Sequence, residues 1–239
     1  MDWDRYVDSY CERVAPGLFG EPLNATSNLA FLLGAVLLWL STRAAAAGAP
    51  GRPRAATLYA LPILITLIFL GSTAFHTTAT RWGGALDTGF IVVFLLYYVV
   101  FFAHWFLGVR WSRAWLAAPA FAAFTALVTA TVGQLIGSGP GMYLSALLGL
   151  FVFAAMLRWW PRPEVRSYWV FFAVAGAVFA LSLTLRGLDR DVCDAMPAGT
   201  HFLWHVLNAC TLYLVSRAAI NRWRARVSRP PVDAPTVTG

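Results

Sequence analysis

In the stretch Thr200-His201-Phe202-Leu203-Trp204-His205-Val206-Leu207-Asn208, two histidines stand four residues apart. On a helix, positions i and i+4 share one face about a turn from each other, so both imidazoles can reach a single ion. The same spacing also suits a membrane helix whose histidines hydrogen-bond a neighbouring helix. Three further residues add chemistry to the pair: Ser72 and His76, four apart in Gly71-Ser72-Thr73-Ala74-Phe75-His76, and Asp87 beyond them. Three neutral imidazoles and a water make a tetrahedral zinc site with one open position, the arrangement that activates water. Such a zinc lowers the pKa of its water from 15.7 to about 7 and polarises a bound carbonyl. Asp87 then takes the water's proton and returns it to the leaving group. With all three histidines committed, none is left to deprotonate Ser72, which is read as orienting or stabilising the oxyanion. The alternative is a structural hydrogen-bonded network, with Ser72 a packing residue beside Gly71. His104 falls toward the far end of its apolar run and is read as structural.

These residues sit in a chain built for a bilayer. Of 239 residues, 59% are hydrophobic and 12% charged, with a mean hydropathy of +0.64, well above a soluble domain of this length. Apolar runs over 24–42, 57–77, 86–107, 115–132, 142–157, 167–185 and 199–217 predict a bundle of seven transmembrane helices. No cleavable signal pattern precedes them, so the first span is expected to act as its own insertion signal. An acidic segment, 1–23, precedes a seven-helix domain, 24–218, followed by a tail, 219–239, that is basic through Arg229 and then Pro-rich and read as disordered.

All 18 basic residues are arginine. Seven spans put five of them (Arg5, Arg13, Arg81, Arg186 and Arg190) on the N-terminal side and the other thirteen on the C-terminal side. The positive-inside rule places the C-terminus in the cytoplasm and the N-terminus, with the histidines near it, outside. The absence of lysine excludes a retinal Schiff base. The positive charge marks cytoplasmic loops, and no nucleic-acid motif accompanies it. Cys11 and Cys193 both fall on the outer side, where a disulfide is chemically allowed and would pin the N-terminal segment over the site; unpaired cysteines are the alternative. Cys210 lies mid-span and is read as packing.

The order Glu21-Pro22-Leu23-Asn24-Ala25-Thr26-Ser27-Asn28 at the first span, Ser72 with His76, Asp87, and His201 with His205 resembles the alkaline ceramidases and their bacterial relatives. Those belong with the adiponectin and progestin receptor-like proteins in a superfamily of seven-helix membrane hydrolases. The resemblance runs from about Asp8 to Arg217. It implies zinc on His76, His201 and His205, with Ser72 and Asp87 flanking the water, and hydrolysis of the ceramide amide. It also implies the Cys11–Cys193 bridge. Relatives that bind calcium carry an aspartate, aromatic, cysteine, glutamate run, an asparagine two residues on, and a second glutamate. Here the aspartate is displaced by one to Asp8 and Val14 replaces the asparagine, leaving Asp8, Glu12 and Glu21 as the calcium ligands to expect. A solvated acidic segment paired with Arg13 is the alternative.

The expected function is therefore zinc-dependent cleavage of a lipid amide, ceramide or a related sphingolipid, at the outer side of a bacterial-type plasma membrane. Two alternatives stay open, a lipid esterase using the same site and a lipid-responsive receptor with structural zinc. The expected partner is the lipid in its bilayer, with neither nucleic acid nor an obligate protein partner indicated.

Overall fold

The computed structural model describes residues 2–17, 19–48, 55–132 and 141–227. Among them the chain is helical: α1 (Pro22–Ser27), α2 (Leu29–Ala47), α3 (Ala55–Thr78), α4 (Arg81–Trp105), α5 (Trp111–Ala114), α6 (Ala117–Thr131), α7 (Gly141–Trp159), α8 (Pro163–Arg166), α9 (Trp169–Leu188) and α10 (His201–Val227). A 3₁₀ turn, Asp189–Asp191, follows α9. The long helices form a closed ring in which α2, α3, α4, α6, α7, α9 and α10 each pack on the next and α10 returns to α2.

Among the described residues, six segments are long and apolar enough to cross a membrane: Pro22–Ala47, Ala55–Thr78, Arg81–Trp105, Trp111–Thr131, Gly141–Trp159 and Pro163–Asp191. A helical membrane bundle follows. The last helix, α10, is long enough to span, but its apolar run is diluted by His201, His205, Asn208 and Arg217. Small residues let the helices approach closely. A Cβ on Gly71 would meet the Phe90 ring at 2.8 Å and the Leu86 carbonyl oxygen at 2.9 Å, and one on Gly83 would meet the Phe75 Cα at 2.9 Å. The α3–α4 contact that carries Ser72, His76 and Asp87 therefore depends on glycine. Deeper in the bundle Phe102 stacks on Phe153 at 3.8 Å and meets Phe172 edge-on at 5.3 Å, filling the space between α4, α7 and α9.

Two expectations need correction. The sequence suggests a loop over 78–85, yet only Ala79 and Thr80 separate α3 from α4. Thr80 caps α4 by accepting from the Gly83 amide at 3.3 Å. Ala79 takes a left-handed φ of 54°, a conformation that costs a non-glycine residue on the order of 1 kcal/mol. It is held by hydrogen bonds from its amide to the Phe75 carbonyl at 2.9 Å and from the Val7 amide to its own carbonyl at 2.8 Å. The second correction concerns the tail. Residues 219–227 continue α10 as helix, with Ala219, Ile220, Arg222 and Trp223 buried. The tail beyond 227, the arginines at 52, 54 and 229, and most of the glycine-rich turn at 137–141 lie outside the described residues. Cys210 is exposed, so it faces away from the bundle interior.

The N-terminal segment lies across the ends of α3 and α4 as a strap. Tyr6 bridges Thr80, the Arg81 amide donates to Arg5 O at 3.1 Å, the Trp82 amide to Trp3 O at 3.1 Å, and the Gly17 amide to Thr77 O at 2.9 Å. The disulfide expected between Cys11 and Cys193 is present, with their Cα atoms 5.2 Å apart. It ties the strap to the connection that leads into α10.

Candidate metal centre

Two helix ends converge under the strap. His76 lies in the last turn of α3, His201 opens α10, and His205 follows one turn later. One ligand nitrogen from each lies within 4.8 Å of the others, and all three side chains are buried, so the group is able to hold a metal ion. Ring centroids are 4.6 Å apart for His201–His205, 4.7 Å for His76–His205 and 5.2 Å for His76–His201.

Surrounding groups fix two of the rings. Nδ1 of His76 meets the Glu21 carboxylate. A carboxylate only accepts, so Nδ1 carries the proton and Nε2 keeps its lone pair. That Nε2 is buried without a hydrogen-bond partner. Nδ1 of His205 lies 2.8 Å from Ser27 Oγ, whose own proton goes to the Asn24 carbonyl at 3.0 Å. The serine therefore accepts from His205, again leaving Nε2 as the donor atom for a metal. His201 stacks on the Tyr10 ring at 3.5 Å, and its Nδ1 is buried and unpartnered. Two orphaned buried imidazole nitrogens, on His76 and His201, and outer groups holding Nδ1 of His76 and His205 fit what a metal site requires.

Asp189 sets the start of α10. Its carboxylate accepts from the amides of Thr200 at 2.7 Å, His201 at 2.9 Å and Cys11 at 3.0 Å. Gly199 has φ +63° there, and a Cβ on it would lie 2.1 Å from Asp189 Oδ1, so only glycine lets the carboxylate in. One acidic side chain thus locks both the strap and the first histidine of the HxxxH pair.

Ser72 and Asp87 meet beside this group. Ser72 is buried one helical turn before His76, and its hydroxyl makes no regular hydrogen bond but is close enough to Asp87 to interact with it. Asp87 is half-buried on α4 and also interacts with Arg186, and Tyr10 lies within its electrostatic reach. Arg186 was legible in the sequence only as an outer-side arginine. In the structure it interacts with Tyr10 and stands over the rings of Tyr143 at 4.9 Å and Trp204 at 5.5 Å. Its position in the last turn of an otherwise apolar helix is the one signal that could have singled it out.

His104 takes no part. Its Nδ1 bonds the Val109 carbonyl at 2.9 Å at the opposite end of α4. Below the histidines an apolar cavity runs between α4, α6, α7, α9 and α10, lined by Phe94, Phe121, Tyr143, Phe153, Asn208 and Val215 among others. Asn208, which lines this cavity, lies one turn beyond His205 on α10.

The three carboxylates expected to hold calcium do not gather. Both oxygens of Glu12 accept backbone amides, Leu23 at 2.6 Å and Asn24 at 2.7 Å, capping α1. Glu21 is fully buried between Arg13, His76 and the Asn24 side-chain amide. Burial pushes its carboxyl up to about 7, against the opposing pull of Arg13. Asp8 is exposed, 3.2 Å from Arg190. Among the described residues, the histidine triad is the one His, Cys, Asp and Glu group placed to share an ion.

No protein-family model and no curated protein sequence matches the chain.

Proposed function

We propose that the protein is a zinc-dependent lipid amide hydrolase with seven membrane spans, cleaving the N-acyl bond of ceramide or a related sphingolipid to a long-chain base and a fatty acid. The observation that carries this is the junction of three parts: a buried histidine triad with orphaned nitrogens, the Ser72–Asp87 pair beside it, and an apolar cavity leading away from it. A three-nitrogen set without thiolates suits zinc with an open position, and zinc supplies a Lewis acid and a nucleophilic water at neutral pH.

The chain's own residues would do the rest. The acyl tail lies in the cavity among Phe94, Phe121 and Phe153, with the amide at the triad. Asp87 accepts the attacking water's proton and delivers it to the departing amine nitrogen. The Ser72 hydroxyl donates to the carbonyl oxygen as negative charge develops there. Tyr10, stacked on His201, and the disulfide-tied strap cover the site from the aqueous side. A structural zinc in a receptor would need neither an open coordination position nor a base.

Incubating the protein with matched lipid amides and esters, and reading products by mass, tests the substrate class. Release of fatty acid and long-chain base from ceramide is the expected result; cleavage of esters alone would make it an esterase, and no cleavage of either would leave the receptor reading. In this account α10 is the seventh span, the N-terminus is outside and the C-terminus is cytoplasmic. Reporter fusions at residues 1 and 239 check this, and a reporter active in the cytoplasm at residue 1 would invert it.

A further inference from the structure

The calcium that the resemblance implies has no vacant ligand set here, and the reason is a side chain. Arg13 is buried, its Nε pairs with Glu21, and its Nη2 and Nη1 face the carbonyl oxygens of Phe75 at 3.3 Å and His76 at 3.5 Å. A carboxylate and two carbonyls form an oxygen-only set of the type a hard cation takes. The carbonyls belong to the last turns of α3, the end at which the helix dipole favours positive charge. Glu21 in turn holds Nδ1 of His76, so a chain of direct contacts runs from Arg13 through Glu21 to a triad histidine.

We propose that Arg13 is a built-in replacement for a divalent cation: its guanidinium fastens the strap to the end of α3 and fixes Glu21 as the outer partner of His76, so that the centre assembles without calcium. Arg13 is a positioning residue, acting on the metal through Glu21 and His76. The inference rests on the zinc reading only through His76. The guanidinium fork suits this place because several of its donors engage different oxygens at once, which a lysine ammonium at the end of a flexible stem does less well.

The test uses the full chain in detergent. Thermal midpoint and zinc affinity by chelator competition are measured in calcium-free buffer and in millimolar calcium, with calcium removed by resin because chelators of calcium also strip zinc. The wild type is expected to give the same midpoint and zinc affinity in both. Arg13→Gln should bind zinc about 10- to 100-fold more weakly, the usual consequence of losing an outer partner. Adding Glu21→Gln to Arg13→Gln removes the stranded carboxylate and should raise the midpoint without restoring zinc affinity, which a merely structural role would not produce. If Arg13→Gln does not fold, Arg13→Lys takes its place and should bind zinc more weakly and melt lower than the wild type. A wild type whose midpoint or zinc affinity rises with calcium, or a folded Arg13→Gln or Arg13→Lys that binds zinc as tightly as the wild type, overturns the proposal. A wild type that binds no zinc sinks the zinc reading instead, and the calcium dependence of its midpoint still decides whether Arg13 does the cation's work.

Discussion

His76→Ala, His201→Ala and His205→Ala are each expected to bring zinc close to zero per chain, against one per chain expected for the wild type, when bound metal is measured after dialysis against a chelator. The expected loss exceeds the ~10- to 100-fold that follows removal of even an outer partner, because each change deletes one of three donor nitrogens. The triad is buried and the donors lie within 4.8 Å of one another, so no exposed residue can substitute by a small movement. The three variants should also differ in folding. His201→Ala keeps the Asp189 bonds to the amides of Thr200 and residue 201, whereas His76→Ala leaves the buried Arg13–Glu21 pair without its third member. Thermal midpoints are therefore expected to fall more for His76→Ala than for His201→Ala. Full zinc content in all three variants would sink the ligand assignment.

Asp87→Asn is the second large effect, and it separates chemistry from metal binding. The amide is nearly isosteric with the carboxylate and keeps a contact with Ser72, but it neither accepts the water's proton nor delivers one to the amine. Turnover should fall ~10²- to 10⁴-fold with zinc unchanged. Ser72→Ala removes one donor to the oxyanion and should cost ~10²- to 10³-fold, again with full metal. Neither change touches the apolar lining of the cavity, so lipid binding should hold. An Asp87→Asn protein that turns over as fast as the wild type would remove the proton-transfer role from that residue.

What could be read in advance divides along a physical line. Helical period and hydropathy are local, so the apolar runs and the shared face of His201 and His205 were legible from neighbours in the chain. The Ser72–His76 spacing was legible for the same reason. Helix ends were less so. The arginines after Arg217 suggest a polar tail, but Arg217 bonds Ser41 Oγ at 2.8 Å, Arg222 bonds Trp105 O at 2.9 Å, Arg224 bonds Ser41 O at 2.8 Å and Arg226 bonds His104 O at 3.0 Å. Those tertiary bonds prolong α10 to Val227, and no local pattern announces them.

The surroundings of the triad were hidden for the same reason. Arg13, Glu21 and His76 are joined across most of the first third of the chain, and Tyr10 reaches His201 from near the opposite terminus. Glu21 was expected as a calcium ligand and instead holds a histidine. Its other carboxylate oxygen pairs with Arg13, which stands close to Glu21 in the chain but was not expected to reach it through the fold. Two expected long-range contacts did emerge: the Cys11–Cys193 bridge and the meeting of His76 with His201 and His205.

The most direct measurement is a zinc titration of metal-free protein in the presence of ceramide, with fatty acid release followed at each addition. Activity that is absent without metal, rises in proportion to added zinc and saturates at one zinc per chain is the predicted result. Release of fatty acid by the metal-free protein, or none from the fully zinc-loaded wild type, would contradict the account.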